Sequence, residues 1–271
     1  MRIDAATSSS ALPTCQLLGM SLAKIGQDAL LDHMFGMLAR GRGGWLVTAN
    51  LDFLCRYARD AEARALYDAA DIRVADGMPL VWAARLQGDP VPERVTGATL
   101  VSVIAERAAA DKRSLYLLGG APGSSERAAM VLRERFAGLD IKGTSCPWLS
   151  DPATAAEVDP ISRELSRLRP DIVLVGLGSP KQEKLIQALR PELRAAWMIG
   201  VGISFSFVAG DMRRAPRWMQ KTGLEWLTRL VREPRRLGRR YLLEDLPFSV
   251  TLFAHALRRR GARRRANGSA P

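Results

Sequence analysis

Short apolar runs alternate with helix-length segments along much of this 271-residue chain, and nothing else constrains the fold as strongly. Leu115–Leu118 is followed by Gly119-Gly120-Ala121-Pro122-Gly123 and a helical stretch from Ser124 to Phe136. Leu139–Gly143 precedes a helix near Ala153–Leu168. Ile172–Val175 runs into Gly176-Leu177-Gly178-Ser179-Pro180 and a helix through Leu189, and Trp197–Val201 ends in Gly202. The first half is less regular. It reads as a strand at Cys15–Gly19, a helix over Gln27–Leu38, an apolar run at Trp45–Val47 and helices over Asp52–Tyr57 and Ala61–Ala69. A strand at Ile72–Ala75 and a helix opened by Pro79 follow. Strands that alternate with helices of this length build βαβ units around a parallel sheet. The strands are continuously apolar, as they are when helices cover both faces. The expected fold is α/β, a Rossmann-like parallel sheet flanked by helices.

Charge divides the chain. Residues 1–212 hold 24 Lys+Arg and 24 Asp+Glu, whereas residues 213–271 hold 16 and 4, so the whole net charge of +12 sits in the last stretch. The expected organisation is a disordered N-terminus over 1–13, an α/β body over 14–212 and a basic helical appendage over 213–271. Such an appendage suits nucleic acid or an anionic membrane surface, with a solvated tail as the plainer reading. A hydrophobic fraction of 47% excludes a disordered chain. Cys15, Cys55 and Cys146 are too few and too scattered for a disulfide framework, which points to a reducing compartment. The first residues lack an apolar signal-peptide core, and residues 195–208 and 246–257 fall short of the roughly 20 needed to span a bilayer.

Ligands of open α/β sheets bind at the carboxyl ends of the strands, and four loops there carry chemistry. Gly119–Gly123 lets the backbone approach a phosphate at a helix N-terminus, or is simply a tight strand-to-helix turn. Its GGxxG pattern half meets a dinucleotide fingerprint, and Asp140 follows about 20 residues on. Asp76, at the end of a strand, is placed as a general base or as a cap for the helix near Pro79. Gly176–Glu183 puts Lys181, Gln182 and Glu183 in a first helical turn, where a lysine opposes the helix dipole. Arg94, in Glu93-Arg94-Val95-Thr96-Gly97, can clamp a diphosphate or form an ion pair. Walker, HExxH and GxSxG motifs, Cys/His clusters and Asp-x-Asp pairs are all missing. His33 and His255 fall in expected helices, which favours structural or surface roles.

Together these stretches resemble the bacterial WecG/TagA/CpsF glycosyltransferases. The matching pieces begin with Thr48-Ala49-Asn50-Leu51-Asp52, Val74–Pro79, Glu93–Gly97 and Tyr116–Gly123. They continue through Pro170-Asp171-Ile172, Gly176–Glu183, Gly200-Val201-Gly202, Arg214–Met219, Gly223–Leu227, Arg229-Leu230, Glu233-Pro234 and Arg240-Tyr241. The resemblance covers roughly residues 15–245. It implies an inverting transferase that moves a sugar from a UDP-sugar to a polyprenyl-diphosphate-linked glycan. The setting would be the cytoplasmic face of the bacterial membrane, in polysaccharide biosynthesis, with no metal or other cofactor.

By the same resemblance Asp76 is the base, Thr48 an active-site threonine and Arg94 a diphosphate-neutralising arginine. Asn50 and Asp52 share the Thr48 motif, and Gln182 contacts substrate. Gly119, Gly120, Gly123 and Gly178 shape the nucleotide-sugar cleft, with Lys181 beside them. Arg214 and Arg217 face the acceptor diphosphate. The appendage reaches an anionic membrane surface through Trp218, Trp226, Phe248 and Phe253, with Arg258–Arg260 and Arg263–Arg265 toward lipid. Self-association through the body is a further family trait. One departure is Phe205-Ser206-Phe207, where the family usually has a carboxylate at the central position. The alternatives are an NAD-dependent Rossmann-type oxidoreductase or epimerase built on Gly119–Gly123 and Asp140, and a basic-tailed nucleic-acid-binding protein. No nucleic-acid motif accompanies the basic charge, and the reading excludes nucleic acid as a partner.

Overall fold

The structure, a computed structural model, describes residues 12–221, 223, 225–232, 238, 243 and 245–268. The chain opens with a hairpin, β1 (Thr14–Leu17) and β2 (Met20–Ala23), paired antiparallel. Its two-residue turn holds Leu18 and Gly19 at φ +48° and +91°, the left-handed pair that suits a tight hairpin. Beyond it come α1 (Gln27–Ala39), β3 (Gly44–Ala49), α2 (Leu51–Arg59), α3 (Ala61–Asp68), β4 (Ile72–Ala75), α4 (Met78–Leu86) and α5 (Gly97–Ala110). The second half runs β5 (Ser114–Gly119), α6 (Ser124–Arg135), β6 (Asp140–Ser145), α7 (Ala155–Leu168), β7 (Ile172–Gly176), α8 (Lys181–Leu189), β8 (Trp197–Gly200) and α9 (Ser204–Val208). Among the described residues that follow are helices α10 (Arg217–Lys221), α11 (Glu225–Arg232) and α12 (Leu246–Gly268). Relative to the expected elements, β2, α5 and α9 are additions.

Strands β3 to β8 form one six-stranded sheet in the order β4-β3-β8-β7-β5-β6, and every pairing is parallel. The α/β expectation therefore holds. The two faces are covered separately because successive strand residues point to opposite sides. Val47, Ala49, Val173, Val175 and Met198 join one core with α2, α3, α4, α7 and α8. Leu46, Val74, Leu174, Trp197 and Ile199 join the other with α1, α5 and α6. Burial of each such side chain contributes roughly 1.5–3 kcal/mol.

The amino edge of the sheet is pinned by two aspartates. Asp71 accepts the Trp45 backbone N–H at 2.7 Å and pairs with Arg190 at 2.6 Å. Asp171 accepts the Ser114 backbone N–H and hydroxyl, both at 2.8 Å, and pairs with Arg113 at 3.1 Å. Burial pushes the Asp171 carboxyl up, but the Ser114 N–H, its hydroxyl and Arg113 outweigh it and hold the group below the usual carboxylate range. Asp140 opens β6 at this same edge, ion-paired with Lys142 at 2.8 Å. It therefore lies across the sheet from Gly119–Gly123, which a ribose-binding acid cannot do.

The described part of the C-terminal stretch does not trail away from the body. Phe248, Leu252 and Ala256 recur every four residues and are buried in the core beside α4. The Arg59 guanidinium lies 5.5 Å over the Phe248 ring. The expectation that Phe248 faces a membrane interface is thus corrected, because its helical spacing places it on the packed stripe. Arg263, about half-exposed, donates to the Gly88 carbonyl at 2.8 Å and pairs with Asp89 at 3.0 Å. Most of the expected disordered N-terminus, residues 1–11, lies outside the described residues. Pro13 is tied down through its carbonyl, which accepts the Lys24 N–H at 2.7 Å.

Asp171→Ala leaves the Ser114 N–H without its carboxylate and should cost about 1–3 kcal/mol at neutral pH. A lowered pKa stabilises the fold above the unfolded value, near 3.8, and the gain is lost as pH falls through the folded value. Urea unfolding of both proteins should therefore show a gap at about pH 7 that narrows at about pH 3.

Candidate active site

The carboxyl edge gathers the singled-out loops. Asp76 follows β4 directly and is half-buried. Its backbone N–H donates to the Ala49 carbonyl at 2.7 Å, and its Oδ2 accepts the Gly97 N–H at 3.1 Å. The plainer reading of Asp76 as cap for the helix near Pro79 is not what forms: Gly77 starts α4 with no side-chain cap. The carboxylate instead meets the first N–H of α5, whose N-cap is Thr96.

Thr48 is buried on the α5 side of β3, and a Cβ on Gly97 would lie 3.4 Å from its Oγ1. Asn50 caps α2 by accepting the Phe53 N–H at 3.2 Å. A Cβ on Gly77 would lie 3.7 Å from the Asn50 Cα, so the Thr48 and Asp76 motifs abut. Asp52 forms an ion pair with Arg56 one turn on.

Arg94 does form an ion pair, but not one on an open surface. Its Nη1 lies 3.3 Å from Glu225 Oε2, and both side chains are largely buried. Arg214 meets the other oxygen of the same carboxylate at 3.1 Å. Arg214 also donates to Thr99 Oγ1 at 3.0 Å and Thr96 Oγ1 at 3.2 Å. Two guanidiniums thus share the Glu225 carboxylate beside the N-terminal turn of α5, where the Asp76 carboxylate also meets the helix. Arg217 opens α10, and its side chain lies outside the described ones. No residue spacing could announce Glu225, because its contact with Arg94 spans 131 positions.

On the other half of the edge, Gly119, Gly120 and Gly123 all take positive φ, at +91°, +101° and +74°. A Cβ on Gly120 would collide with Ser124 Oγ and lie 3.2 Å from the Phe205 ring. Gly123 starts α6 with no side-chain cap. The Ser124 hydroxyl is buried without a hydrogen-bond partner among the described residues. This turn therefore combines an uncapped helix N-terminus with an unused hydroxyl, the equipment of an anion site. Gly178, at φ +74°, faces open space. Lys181 donates to the Leu149 carbonyl, and its Nζ sits 5.8 Å over the exposed Trp148 ring.

Gln182 is buried. Its Oε1 accepts the Gly202 N–H at 3.0 Å and its Nε2 donates to Glu183 Oε1 at 2.7 Å. Ser206, the departure from the family pattern, is buried in α9, where its carbonyl accepts the Met212 N–H at 3.1 Å.

A doubly covered parallel sheet with glycine turns, a carboxylate and paired arginines along its carboxyl edge defines an α/β enzyme with its ligands at that edge. The chain belongs to the Glycosyl transferase WecG/TagA/CpsF family, which it matches over residues 15–262. It is similar to the N-acetylglucosaminyldiphosphoundecaprenol N-acetyl-beta-D-mannosaminyltransferase of Bacillus spizizenii. The two are 28% identical over 202 residues, which cover 74% of this chain and 76% of the relative.

Gly120→Ala should destabilise the protein by at least about 2 kcal/mol more than Gly138→Ala. Both glycines have positive φ, but a Cβ on Gly138 meets nothing within 4 Å. Thermal unfolding of the two variants decides this, and equal losses would show that the Gly120 turn has room to spare.

Proposed function

We propose that the chain is an inverting glycosyltransferase that moves a sugar from a UDP-sugar to a polyprenyl-diphosphate-linked sugar in bacterial surface-polysaccharide synthesis. The observation that carries this reading is a convergence on residues 94–99. Asp76 is held by Gly97, Arg94 opens the segment, and Arg214 is held by Thr96 and Thr99. A base and two diphosphate-binding cations thus share one short support. The relative's printed name supplies a matching substrate class, an N-acetylglucosaminyl group on undecaprenyl diphosphate.

In this reading the acceptor hydroxyl loses its proton to Asp76 as its oxygen attacks the anomeric carbon. The new bond forms opposite the leaving UDP, which inverts the centre. The anomeric C–O bond breaks and its electron pair goes to the diphosphate. The Gly119–Gly123 turn, the α6 N-terminus and the Ser124 hydroxyl take the donor diphosphate, while Arg94 and Arg214 take the diphosphate of the acceptor. Fixed donors of this kind replace a metal by stabilising charge where it develops.

No helix among the described residues is long and apolar enough to cross a membrane. Trp218, Trp226 and Leu227 are exposed on α10 and α11. Leu246, Val250 and Leu257 form an exposed stripe on α12, opposite the packed Phe248, Leu252 and Ala256. Exposed aromatic and apolar residues interleaved with arginines suit peripheral attachment to an anionic surface at the inner face of the cytoplasmic membrane.

The test is UDP release across a panel of UDP-sugars, with a short-chain polyprenyl-diphosphate N-acetylglucosamine as acceptor. Acceptor-dependent release with one donor is expected. Asp76→Ala should lower kcat by about 10²–10⁴-fold, the usual contribution of a general base. A folded Asp76→Ala protein with full activity would sink the base assignment.

A further inference from the structure

Glu183 sits in the first turn of α8 and is 1% exposed. Its Oε1 accepts from Gln182, but its Oε2 is buried with no hydrogen-bond partner among the described residues. Gly200, in β8, makes room for this pair: a Cβ there would press on the Gln182 amide and lie 3.0 Å from Glu183 Oε1. Beyond Gln182, the chain of bonds reaches the Gly202 N–H and so fixes the β8–α9 turn. That turn abuts the segment that holds the base. A Cβ on Gly97 would lie 3.4 Å from the Val201 Cα, and the Gly97 N–H is the one that Asp76 accepts.

The charged and titratable groups around Glu183 come from two helices. Arg56, on α2, donates to Ser179 Oγ at 3.2 Å and is already paired with Asp52. Tyr67, on α3, lies 3.4 Å from the same Ser179 Oγ. Burial pushes the Glu183 carboxyl up to about 7, against the opposing pull of Gln182, the Ser179 hydroxyl, its own backbone N–H and Arg56. A side chain that merely filled this space would cost less as an apolar residue.

We propose that Glu183 is a positioning residue of the transfer reaction: it holds the Gln182 amide, and through Gly202 the turn that backs Gly97 and Asp76. This rests on the transferase reading above. Ionisation strengthens the bond from Gln182 but puts a second carboxylate charge into a space where burial disfavours it, beside an Arg56 already paired with Asp52.

Three full-length proteins test it: wild type, Glu183→Gln and Glu183→Ala. For wild type, kcat for acceptor-dependent UDP release should fall above about pH 7 by about tenfold per unit. Glu183→Gln copies the neutral acid, so it should keep at least about half of the wild-type kcat near pH 6 and lose that alkaline fall. Glu183→Ala should lose about tenfold in kcat near pH 6 with little change in donor KM. A Glu183→Gln profile that falls as wild type does, or a Glu183→Ala protein with undiminished kcat, overturns the proposal.

Thermal stability against pH provides a readout independent of activity. The folded value is raised above the ordinary 4.5, so the stabilisation is full below about 4.5 and lost as pH rises through about 7. The wild-type Tm should carry this downward slope and Glu183→Gln should not. Transfer without the slope overturns the Glu183 assignment alone. The slope without transfer by any of the proteins overturns the transferase reading, and the positioning role with it.

Discussion

Six parallel strands buried on both faces leave polar chemistry one place to go. Neither face can hold an unpaired polar group cheaply, so such groups collect where the strands end. The two edges then differ in sign. At the amino edge, Asp71 and Asp171 accept the Trp45 and Ser114 N–H groups and lock neighbouring strands together. At the carboxyl edge, helix N-termini present N–H groups instead, which favours anions. Structural carboxylates at one edge and helix N-termini with free N–H groups at the other follow from this single geometric fact.

The turns of the carboxyl edge are tied to one another as well as to the sheet. Asp76 joins the turn after β4 to the start of α5. Gln182 joins the turn after β7 to the turn after β8. Arg56 joins α2 to Ser179. Each link uses a side chain from one element and a group from another, so a shift in one is passed to the next. Rigid support of this kind is what a reacting geometry requires, since an error of about 1 Å can cost a hundredfold in rate.

What could be read from the sequence follows the same physics. The parallel strands were legible because burial on both faces makes them continuously apolar. The β1–β2 hairpin was not, because its turn puts Leu18 at positive φ, where a hairpin signal expects Asn, Asp or Gly. Helix α5 carries buried Leu100, Val101, Ile104, Ala105 and Ala108, a broad apolar face that local periodicity separates poorly from a buried strand. Asp76, Thr48 and Arg94, which the motifs single out, lie along one edge of the sheet. The motifs could not show that Glu183, in a run of charged residues, turns wholly inward, since burial of a side chain is a property of the packed fold.

The basic stretch illustrates the difference between charge and placement. Its excess of positive residues suggests a tail apart from the body, yet Glu225 reaches back to Arg94 and Phe248 packs into the core. Glu225 holds two arginines with one carboxylate, so any diphosphate that binds them must compete with it or share them. With Asp76 at the Gly97 N–H, the two arginines are matched by two carboxylates, so what they offer such an anion is fixed N–H donors rather than surplus charge. The C-terminal stretch is therefore part of the site's electrostatics, and the position of α11 and the charge at the α5 N-terminus cannot be altered independently.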